Sequence, residues 1–292
     1  MNNPLISALD LKVLIQQSNN LVIIDTRSPI EYDKGHIPGA IVNHNIFTYV
    51  TSEELGGLDD LVDTFSHVFG NAGIRDRSHV VIYEDAHNNG FGQSCRGYFI
   101  LQYLGHKKIS ILNGGYQSWI KAGFLASLKK RVPTPVTFVP KLNSKYLATT
   151  SDMLYAITNK NAIILDCRDK DEWEGKISSP YDVQKIDINS GDIIVEEFCP
   201  RKGKIPGAVW IEWKSLMKDN LPDPMFLSKD EILEKCKGVG ISKDTTVYVY
   251  CFKGSRASNT LLALQLAGIK NVKNYFESWN VWSRDINLPI EM

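Results

Sequence analysis

The chain has 292 residues, of which 43% are hydrophobic and 23% charged, as in folded globular proteins rather than disordered ones. Its 33 basic residues balance its 33 acidic residues, which argues against broad electrostatic binding of nucleic acid or an anionic membrane. No apolar run approaches the ~18 residues of a membrane helix, and the start of the chain lacks the features of a signal peptide. We therefore expect a cytoplasmic protein of about two domains, without nucleic-acid or membrane partners.

Apolar, β-branched runs recur along the chain and predict buried strands. In chain order they are residues 22–24, 79–83, 162–165 and 247–250. The last run is followed by a polar stretch that contains glycine, and then by a leucine-rich helical pattern over residues 257–267. Strand, short loop and helix in this order predict parallel α/β units. In such sheets, ligands bind at the carboxyl ends of the strands.

The chain contains an internal repeat. Leu21–Arg27 (LVIIDTR) is echoed by Ala162–Arg168 (AIILDCR), and Gly35–Ala40 (GHIPGA) is echoed by Gly203–Ala208 (GKIPGA). The matches keep their order, but the second copy carries an insertion at about 176–202.

The repeat predicts two homologous domains. We place the first at residues 1–130 and the second at 149–292. The intervening linker, 131–148, begins with the proline-bearing stretch Arg131–Pro135. Each domain is expected to be an α/β unit built on a mainly parallel sheet.

The segment Cys251–Arg256 (CFKGSR) lies where a site is expected, just past a predicted strand. Backbone N–H groups of a tight loop, followed by a helix N-terminus, bind anions and stabilise a thiolate. Lys253 and Arg256 add positive charge, and Gly254 permits the tight turn. Cys251 is therefore the candidate nucleophile, and it would favour anionic substrates.

The alternative is that Cys251 is a small buried hydrophobic residue. The first copy provides a comparison, because its strand 79–83 continues into Glu84 and Asp85 without a cysteine. Packing alone therefore does not require cysteine there, and we expect the first domain to be inactive. All six histidines lie in the first half of the chain, so activation of Cys251 by loop dipoles and cations is the simpler account.

The paired Asp-x-Arg and Gly-x-Ile-Pro-Gly-Ala segments, with the Cys-x-x-Gly-x-Arg loop, resemble the tandem-domain rhodaneses. These enzymes are sulfurtransferases of the thiosulfate and 3-mercaptopyruvate types, and the resemblance covers about residues 5–285. It implies two domains, each with a central parallel sheet flanked by helices, the second being active. It also implies that Cys251 carries a persulfide, taking sulfur from an anionic donor and passing it to cyanide or a thiol in ping-pong fashion.

The loop residues Phe252, Lys253, Gly254, Ser255 and Arg256 are the predicted substrate-binding set. Lys253 matches the thiosulfate type and suits a dianionic donor, so thiosulfate is the expected donor and 3-mercaptopyruvate the alternative. Phe252 departs from both types.

Arg201 is a further candidate for binding the donor. It resembles the arginine of a Pro-Arg-x-Gly motif that binds the donor's anionic group in the family. The other interpretation is a solvated loop cation.

Several other charged residues and cysteines of the second copy are candidates for catalysis or for a structural role. Asp166, Arg168 and Glu172 correspond to Asp25, Arg27 and Glu31, which favours a shared structural ion network over catalysis. We interpret Cys167 as a packing residue. Cys199 is either a resolving thiol for Cys251 or an incidental surface cysteine.

The second copy also departs from the repeat near the end of the domain. It has Phe276–Trp279 where the first copy has Asn113-Gly114-Gly115, which alters a turn near the active face. Trp282 matches Trp119 of the inactive copy and is expected in the core.

No CxxC spacing, Walker motif or GxGxxG fingerprint occurs, so neither a metal nor a nucleotide cofactor is expected. Two other functions stay open. A cysteine phosphatase uses five residues between cysteine and arginine, whereas four separate Cys251 from Arg256. A non-catalytic rhodanese-like binding module would have an unreactive Cys251. A monomer is the expected state.

Overall fold

The computed structural model describes residues 3–49, 57–85, 91–186, 193–218 and 225–292. The strands, numbered along the chain, are β1 (Leu5–Ile6), β2 (Leu21–Asp25), β3 (Ala40–Val42), β4 (His79–Tyr83), β5 (Ile109–Leu112), β6 (Ala162–Asp166), β7 (Asp182–Ile186), β8 (Ile193–Glu197), β9 (Val209–Trp210), β10 (Met217–Lys218), β11 (Met225–Phe226), β12 (Thr246–Tyr250) and β13 (Val272–Asn274).

The helices are interspersed among these strands along the chain. They are α1 (Ala8–Gln17), α2 (Pro29–Lys34), α3 (Asn45–Thr48), α4 (Gly57–Asn71), α5 (Gly92–Tyr103), α6 (Gly115–Lys121), α7 (Thr150–Thr158), α8 (Lys170–Trp173), α9 (Lys229–Gly238), α10 (Ser255–Leu266) and α11 (Ser278–Trp282). None of the described helices combines the length and apolar character needed to cross a lipid bilayer.

The chain divides into two compact units. Among the described residues, the first unit takes those up to Leu147 together with Leu216–Ser228, and the second takes Ala148–Ser215 and Lys229–Met292. A short segment of the second half of the chain therefore packs with the first unit. In that segment, Phe226 stacks on Phe91 with ring centroids 5.6 Å apart.

The first unit is built on a five-stranded parallel sheet. The strand order is β1-β5-β4-β2-β3, and Asp25 at the end of β2 pairs with Tyr83 at the end of β4. The apolar sequence of β2 is buried at all five positions, as expected for a strand covered on both faces.

The second unit repeats this design with four parallel strands in the order β13-β12-β6-β9. Asp166 at the end of β6 pairs with Tyr250 at the end of β12, the same register as in the first sheet. The predicted fold class, two tandem α/β domains with central parallel sheets flanked by helices, is confirmed. Inside the predicted insertion, β7 and β8 form an antiparallel pair.

A buried ion network ties the strand ends of each sheet to its Gly-x-Ile-Pro-Gly-Ala loop. In the second unit, Arg168 Nη2 lies 2.6 Å from Asp166 Oδ2 and donates to the Gly203 carbonyl at 2.8 Å. The Tyr250 hydroxyl donates to the same carboxylate at 2.6 Å. The first unit repeats these contacts with a matching set of residues: Asp25, Arg27, Gly35 and Tyr83. The structural role predicted for Asp166 and Arg168 is therefore confirmed.

Candidate active site

Cys251 follows the last residue of β12, and the loop from Cys251 to Gly254 leads directly into α10. The side chain is almost completely buried, with 1% of its surface exposed. The Gly254 N–H donates to the Cys251 sulfur at 3.2 Å. Gly254 has a left-handed φ of 85°, and a Cβ atom there would lie 2.6 Å from the Phe276 ring. Glycine is therefore needed both for the turn and for the close approach.

Hydrogen bonds to the carbonyl groups of this loop stabilise its conformation. The Ser258 hydroxyl donates to the Gly254 carbonyl at 2.6 Å, and the Asn274 amide donates to Ser258 Oγ at 3.0 Å. The Trp279 N–H donates to the Cys251 carbonyl at 3.0 Å. Because these partners are buried, the loop N–H groups are fixed before any ligand arrives.

The environment of Cys251 favours its thiolate. Burial by itself raises the pKa of Cys251, but four other influences outweigh it. They are a hydrogen bond from Cys167, the charge of Arg256, and the backbone N–H groups of Ala257 and Lys253. Together they hold the pKa of Cys251 well below its ordinary value, which makes this sulfur a candidate nucleophile.

Cys167 is a neighbour that the sequence analysis assigned to packing alone. It is fully buried, and its thiol lies 3.1 Å from the carbonyl oxygen of Tyr250, the residue before Cys251. Burial, followed by its hydrogen bond to Cys251, raises the pKa of Cys167 well above the ordinary value. The structure therefore brings two sulfur atoms with opposite protonation preferences together.

Ser278 is a second neighbour that the sequence analysis missed. Its hydroxyl oxygen accepts the Cys251 N–H at 3.1 Å and lies 3.9 Å from the Cys251 sulfur. Its φ is 57°, which matches the 58° of Gly115 at the corresponding position of the first unit. The sequence did carry a signal, because serine stands here where the first copy has glycine. A left-handed φ costs serine free energy, so a serine at this position indicates a role for its side chain.

Arg256 makes an ion pair with residues around α8. Its guanidinium contacts both carboxylate oxygens of Glu172, with Nη2 2.9 Å from Oε1, and its Nη1 lies 3.3 Å from Asp169 Oδ2. Glu172 is fully buried, whereas Glu31 in the first copy is half-exposed and pairs with Lys34. The structural role predicted as common to Glu172 and Glu31 is therefore wrong, because only Glu172 reaches the cysteine loop.

Phe252 packs in the core instead of lining an open surface. It is 2% exposed, and its ring meets those of Tyr181 and Phe198 edge-on at centroid distances of 5.1 and 5.2 Å. The Lys253 ammonium lies 5.7 Å from the Tyr181 ring. These contacts fasten the insertion to the cysteine loop, and Phe252 acts there as an anchor.

Arg201 is used to hold the end of the chain. Its guanidinium donates to four backbone carbonyls, those of Trp282, Ser283, Asp285 and Leu288. A guanidinium has five N–H donors, so four are already engaged. This geometry supports neither a solvated cation nor the predicted role in binding the donor.

Cys199 and Trp279 both lie in the core. Cys199 is fully buried, so the interpretation as a surface cysteine is wrong, and burial raises its pKa to about 11. Trp279 is also fully buried and donates its indole N–H to the Arg201 carbonyl at 3.0 Å. Trp282 is in the core as expected.

The first unit has a carboxyl side chain where the second has the Cys251 thiol. Glu84 follows β4 as Cys251 follows β12, and it is fully buried. The Ser94 N–H, from the first turn of α5, donates to Glu84 Oε2 at 2.6 Å. Burial raises the pKa of Glu84 to about 8 in spite of these N–H groups. A similar cradle is thus kept in both units with different occupants.

Known proteins are similar to this chain in sequence over most of its length, and solved structures have the same fold. The profile of the Rhodanese-like domain family matches residues 7–122 and again residues 150–285. A thiosulfate sulfurtransferase of Azotobacter vinelandii is 25% identical, with 93% of this chain and 91% of that protein covered. The sulfur carrier protein TtuD of Thermus thermophilus is 29% identical, with 89% and 86% covered.

Among solved structures, the 3-mercaptopyruvate sulfotransferase SseA of Escherichia coli has the same fold. It superimposes with a TM-score of 0.74 at 24% identity over 95% of this chain and 99% of SseA. Two parallel-sheet domains in tandem, each matched by the same family profile, define a tandem rhodanese-like protein. This chain belongs to the rhodanese family and is a tandem-domain sulfurtransferase.

Proposed function

We propose that the protein moves a sulfane sulfur from thiosulfate to cyanide or a thiol through a persulfide on Cys251. The observation that carries this proposal is the Cys251 sulfur itself, held under the Gly254 N–H with a lowered pKa. A thiolate in a cradle of N–H donors is a nucleophile toward an anionic sulfur donor, and the same donors stabilise a persulfide anion.

In the first half-reaction, the Cys251 thiolate attacks the outer sulfur of thiosulfate. A bond forms between the two sulfur atoms, the S–S bond of thiosulfate breaks, and sulfite leaves with the electron pair. In the second half-reaction, cyanide attacks the outer sulfur of the persulfide, thiocyanate leaves, and the Cys251 thiolate is restored. Both steps conserve charge, and neither needs a metal or cofactor.

The loop supports thiosulfate as the donor in two ways. Lys253 adds a positive charge to the loop two residues after Cys251, and α10 begins immediately after Gly254, so its N-terminal dipole favours an anion. The name of the Azotobacter relative points to the same donor. Arg256 adds less to the attraction of an anionic donor than its charge suggests, because Glu172 and Asp169 already contact its guanidinium.

The second candidate donor is 3-mercaptopyruvate, and the Arg256 ion pair favours it. With two carboxylates around that guanidinium, the site has less net positive charge than the loop sequence implies, which suits a monoanionic donor. The transfer through Cys251 is the same for either donor.

The first unit is proposed to be inactive in transfer. Glu84 occupies the position that corresponds to Cys251, and a carboxyl group cannot form a persulfide. Catalysis is therefore assigned to the second unit.

The test is to incubate the protein with thiosulfate, remove the excess, and measure the intact mass. Cys251→Ser is measured in parallel, and cyanide is then added with an assay for thiocyanate. We expect one added sulfur atom on the unsubstituted protein alone, discharged by cyanide. If 3-mercaptopyruvate adds a sulfur atom and thiosulfate does not, then 3-mercaptopyruvate is the donor and the persulfide mechanism is kept. No gain from either would overturn the proposal and favour a binding module.

A further inference from the structure

Two cysteines occupy the ends of neighbouring strands in the second unit. Cys167 follows β6 and Cys251 follows β12, and these strands pair in parallel with Asp166 opposite Tyr250. The Cys167 N–H extends this ladder by one step, donating to the Tyr250 carbonyl at 3.0 Å. Neighbouring strands lie ~4.8 Å apart, which is within the Cα separation that a disulfide spans.

The two sulfur atoms interact directly. The Cys167 thiol has a single proton and two acceptors, the Tyr250 carbonyl oxygen at 3.1 Å and the Cys251 sulfur. A thiolate is the stronger acceptor because the hydrogen bond to it is charge-assisted. Cys167 thus holds a proton beside the sulfur that becomes the inner atom of a persulfide.

Packing does not require sulfur at this position. In the first unit the corresponding residue is Thr26, whose hydroxyl lies 3.2 Å from the Tyr83 carbonyl oxygen, as the Cys167 thiol does from Tyr250. Threonine therefore satisfies the same backbone acceptor. What Cys167 adds is a second thiol in the unit that contains the nucleophile.

We propose that Cys167 is a resolving thiol that converts the Cys251 persulfide into a Cys167–Cys251 disulfide and releases hydrogen sulfide. This inference rests on the proposed persulfide. It gives the enzyme an outlet for sulfur when no cyanide or thiol acceptor is bound, and it leaves an oxidised form that a dithiol reductant restores.

The step balances without an added oxidant. The outer sulfur of the Cys251 persulfide anion takes the Cys167 proton, and the Cys167 thiolate formed in this way attacks the inner sulfur. A new S–S bond forms as the bond to the outer sulfur breaks, and the outer sulfur leaves with the electron pair as HS⁻. The outer sulfur is reduced by two electrons, and the pair of cysteines reaches the disulfide level.

The experiment follows the loaded protein over time with oxygen excluded. The full chain is charged with thiosulfate and freed of excess donor, then sampled for intact mass, released sulfide and linked peptides after non-reducing digestion. We expect the added sulfur to disappear as sulfide appears in equal amount, leaving a Cys167–Cys251 peptide. Cys167→Thr, which installs the residue of the first unit, should keep its added sulfur at least about tenfold longer.

Three controls separate the outcomes. Cys167→Ser repeats the Cys167→Thr measurement with a smaller side chain, so that a folding defect in one variant does not decide the result. Cys199→Ser removes another buried thiol of the same unit and should behave like the unsubstituted protein. Dithiothreitol should restore the reduced mass.

The inference is overturned if Cys167→Thr and Cys167→Ser lose sulfur as fast as the unsubstituted protein, or if the linked peptide joins Cys251 to Cys199. It is also overturned if the persulfide persists with no disulfide. Failure of the proposed function has a different signature, since no chain would then gain sulfur at all.

Discussion

Cys251 is buried, yet its surroundings favour the charged thiolate over the neutral thiol. Burial would by itself raise its pKa, and the donors around the sulfur reverse that effect. Of these donors, the N–H groups come from the loop and the start of α10, whereas the Cys167 thiol comes from the residue that follows the neighbouring strand β6. The reactivity of this residue therefore depends on the fold of the second unit as a whole.

The reactivity of Cys251 should follow this lowered pKa. The thiolate is populated above the pKa of the folded state, so the alkylation rate should be retained at neutral pH and lost only as the solution becomes acidic. The measurement is the rate of iodoacetamide labelling of Cys251 against pH. Cys167→Ala removes one donor and should move the midpoint upward, and an unchanged midpoint would contradict this account.

The Ser278 hydroxyl should assist the reaction at Cys251, while the strained backbone of Ser278 lowers the stability of the fold. Ser278→Gly relieves the left-handed φ but removes the acceptor of the Cys251 N–H, so we expect stability within about 1 kcal/mol of the original. We also expect persulfide formation to slow by about tenfold, since the cysteine loses a fixed partner.

Ser278→Ala is the matched control. It loses the hydroxyl and keeps the strain, so its free energy of unfolding should fall below that of Ser278→Gly. Equal stabilities, measured by urea unfolding, would show that the conformation of residue 278 is not strained.

The paired strands and their ion networks explain why the repeat predicts so much of the fold. The Asp-x-Arg segments end β2 and β6, and in both units the arginine joins its strand to the Gly-x-Ile-Pro-Gly-Ala loop. Residues that serve the same contact in both copies keep the same short motifs, so sequence comparison finds them although an insertion separates the two motifs in the second copy. Glu172 did not follow this rule, because its partner Arg256 exists only in the second unit.

The Glu172–Arg256 pair should contribute to the stability of the second unit. Glu172→Gln removes the buried carboxylate that contacts Arg256 and leaves only the more exposed Asp169, so we expect a loss of about 2–4 kcal/mol in the free energy of unfolding. Glu31→Gln, at the corresponding half-exposed position of the first copy, should have a much smaller effect, because solvent screens its ion pair with Lys34. Urea unfolding of the two variants compares them, and equal effects would contradict the assignment.

Glu84 should make the stability of the first unit depend on pH. Its pKa is raised to about 8 in the folded state from an ordinary 4.5, so its contribution is fully present below 4.5 and is lost as pH rises through 8. Glu84→Gln cannot ionise and should therefore gain about 1–3 kcal/mol relative to the unsubstituted protein between about pH 5 and about pH 9. Thermal unfolding at both pH values tests this, and a difference independent of pH would refute it.

The features that the sequence did not predict arise from contacts across the fold. Cys167 is 84 positions from Cys251 in the chain, and only the register of β6 against β12 makes them neighbours. Arg201 binds carbonyl oxygens more than 80 residues away, which leave no side-chain signature in the sequence. The loop residue Gly254 was predictable because its role is local.

The two units share a parallel-sheet design and the same ion network, but among the described residues Cys251 follows its strand in the second unit where Glu84 follows the matching strand in the first. Repetition of the fold thus preserves the scaffold, while the residue after the fourth or the twelfth strand decides the chemistry. The neutral net charge of the chain fits this division, because anion binding is assigned to a local loop rather than to the overall charge.

The central claim is that sulfur passes through Cys251, and isotope transfer in a single turnover tests it most directly. Thiosulfate labelled with a heavy isotope in its outer sulfur is mixed with excess protein, and the Cys251 peptide is isolated before and after cyanide is added. We predict that the label first appears on that peptide and then, in equal amount, in thiocyanate. Labelled thiocyanate formed without a labelled peptide, or formed equally well by Cys251→Ser, would contradict the account.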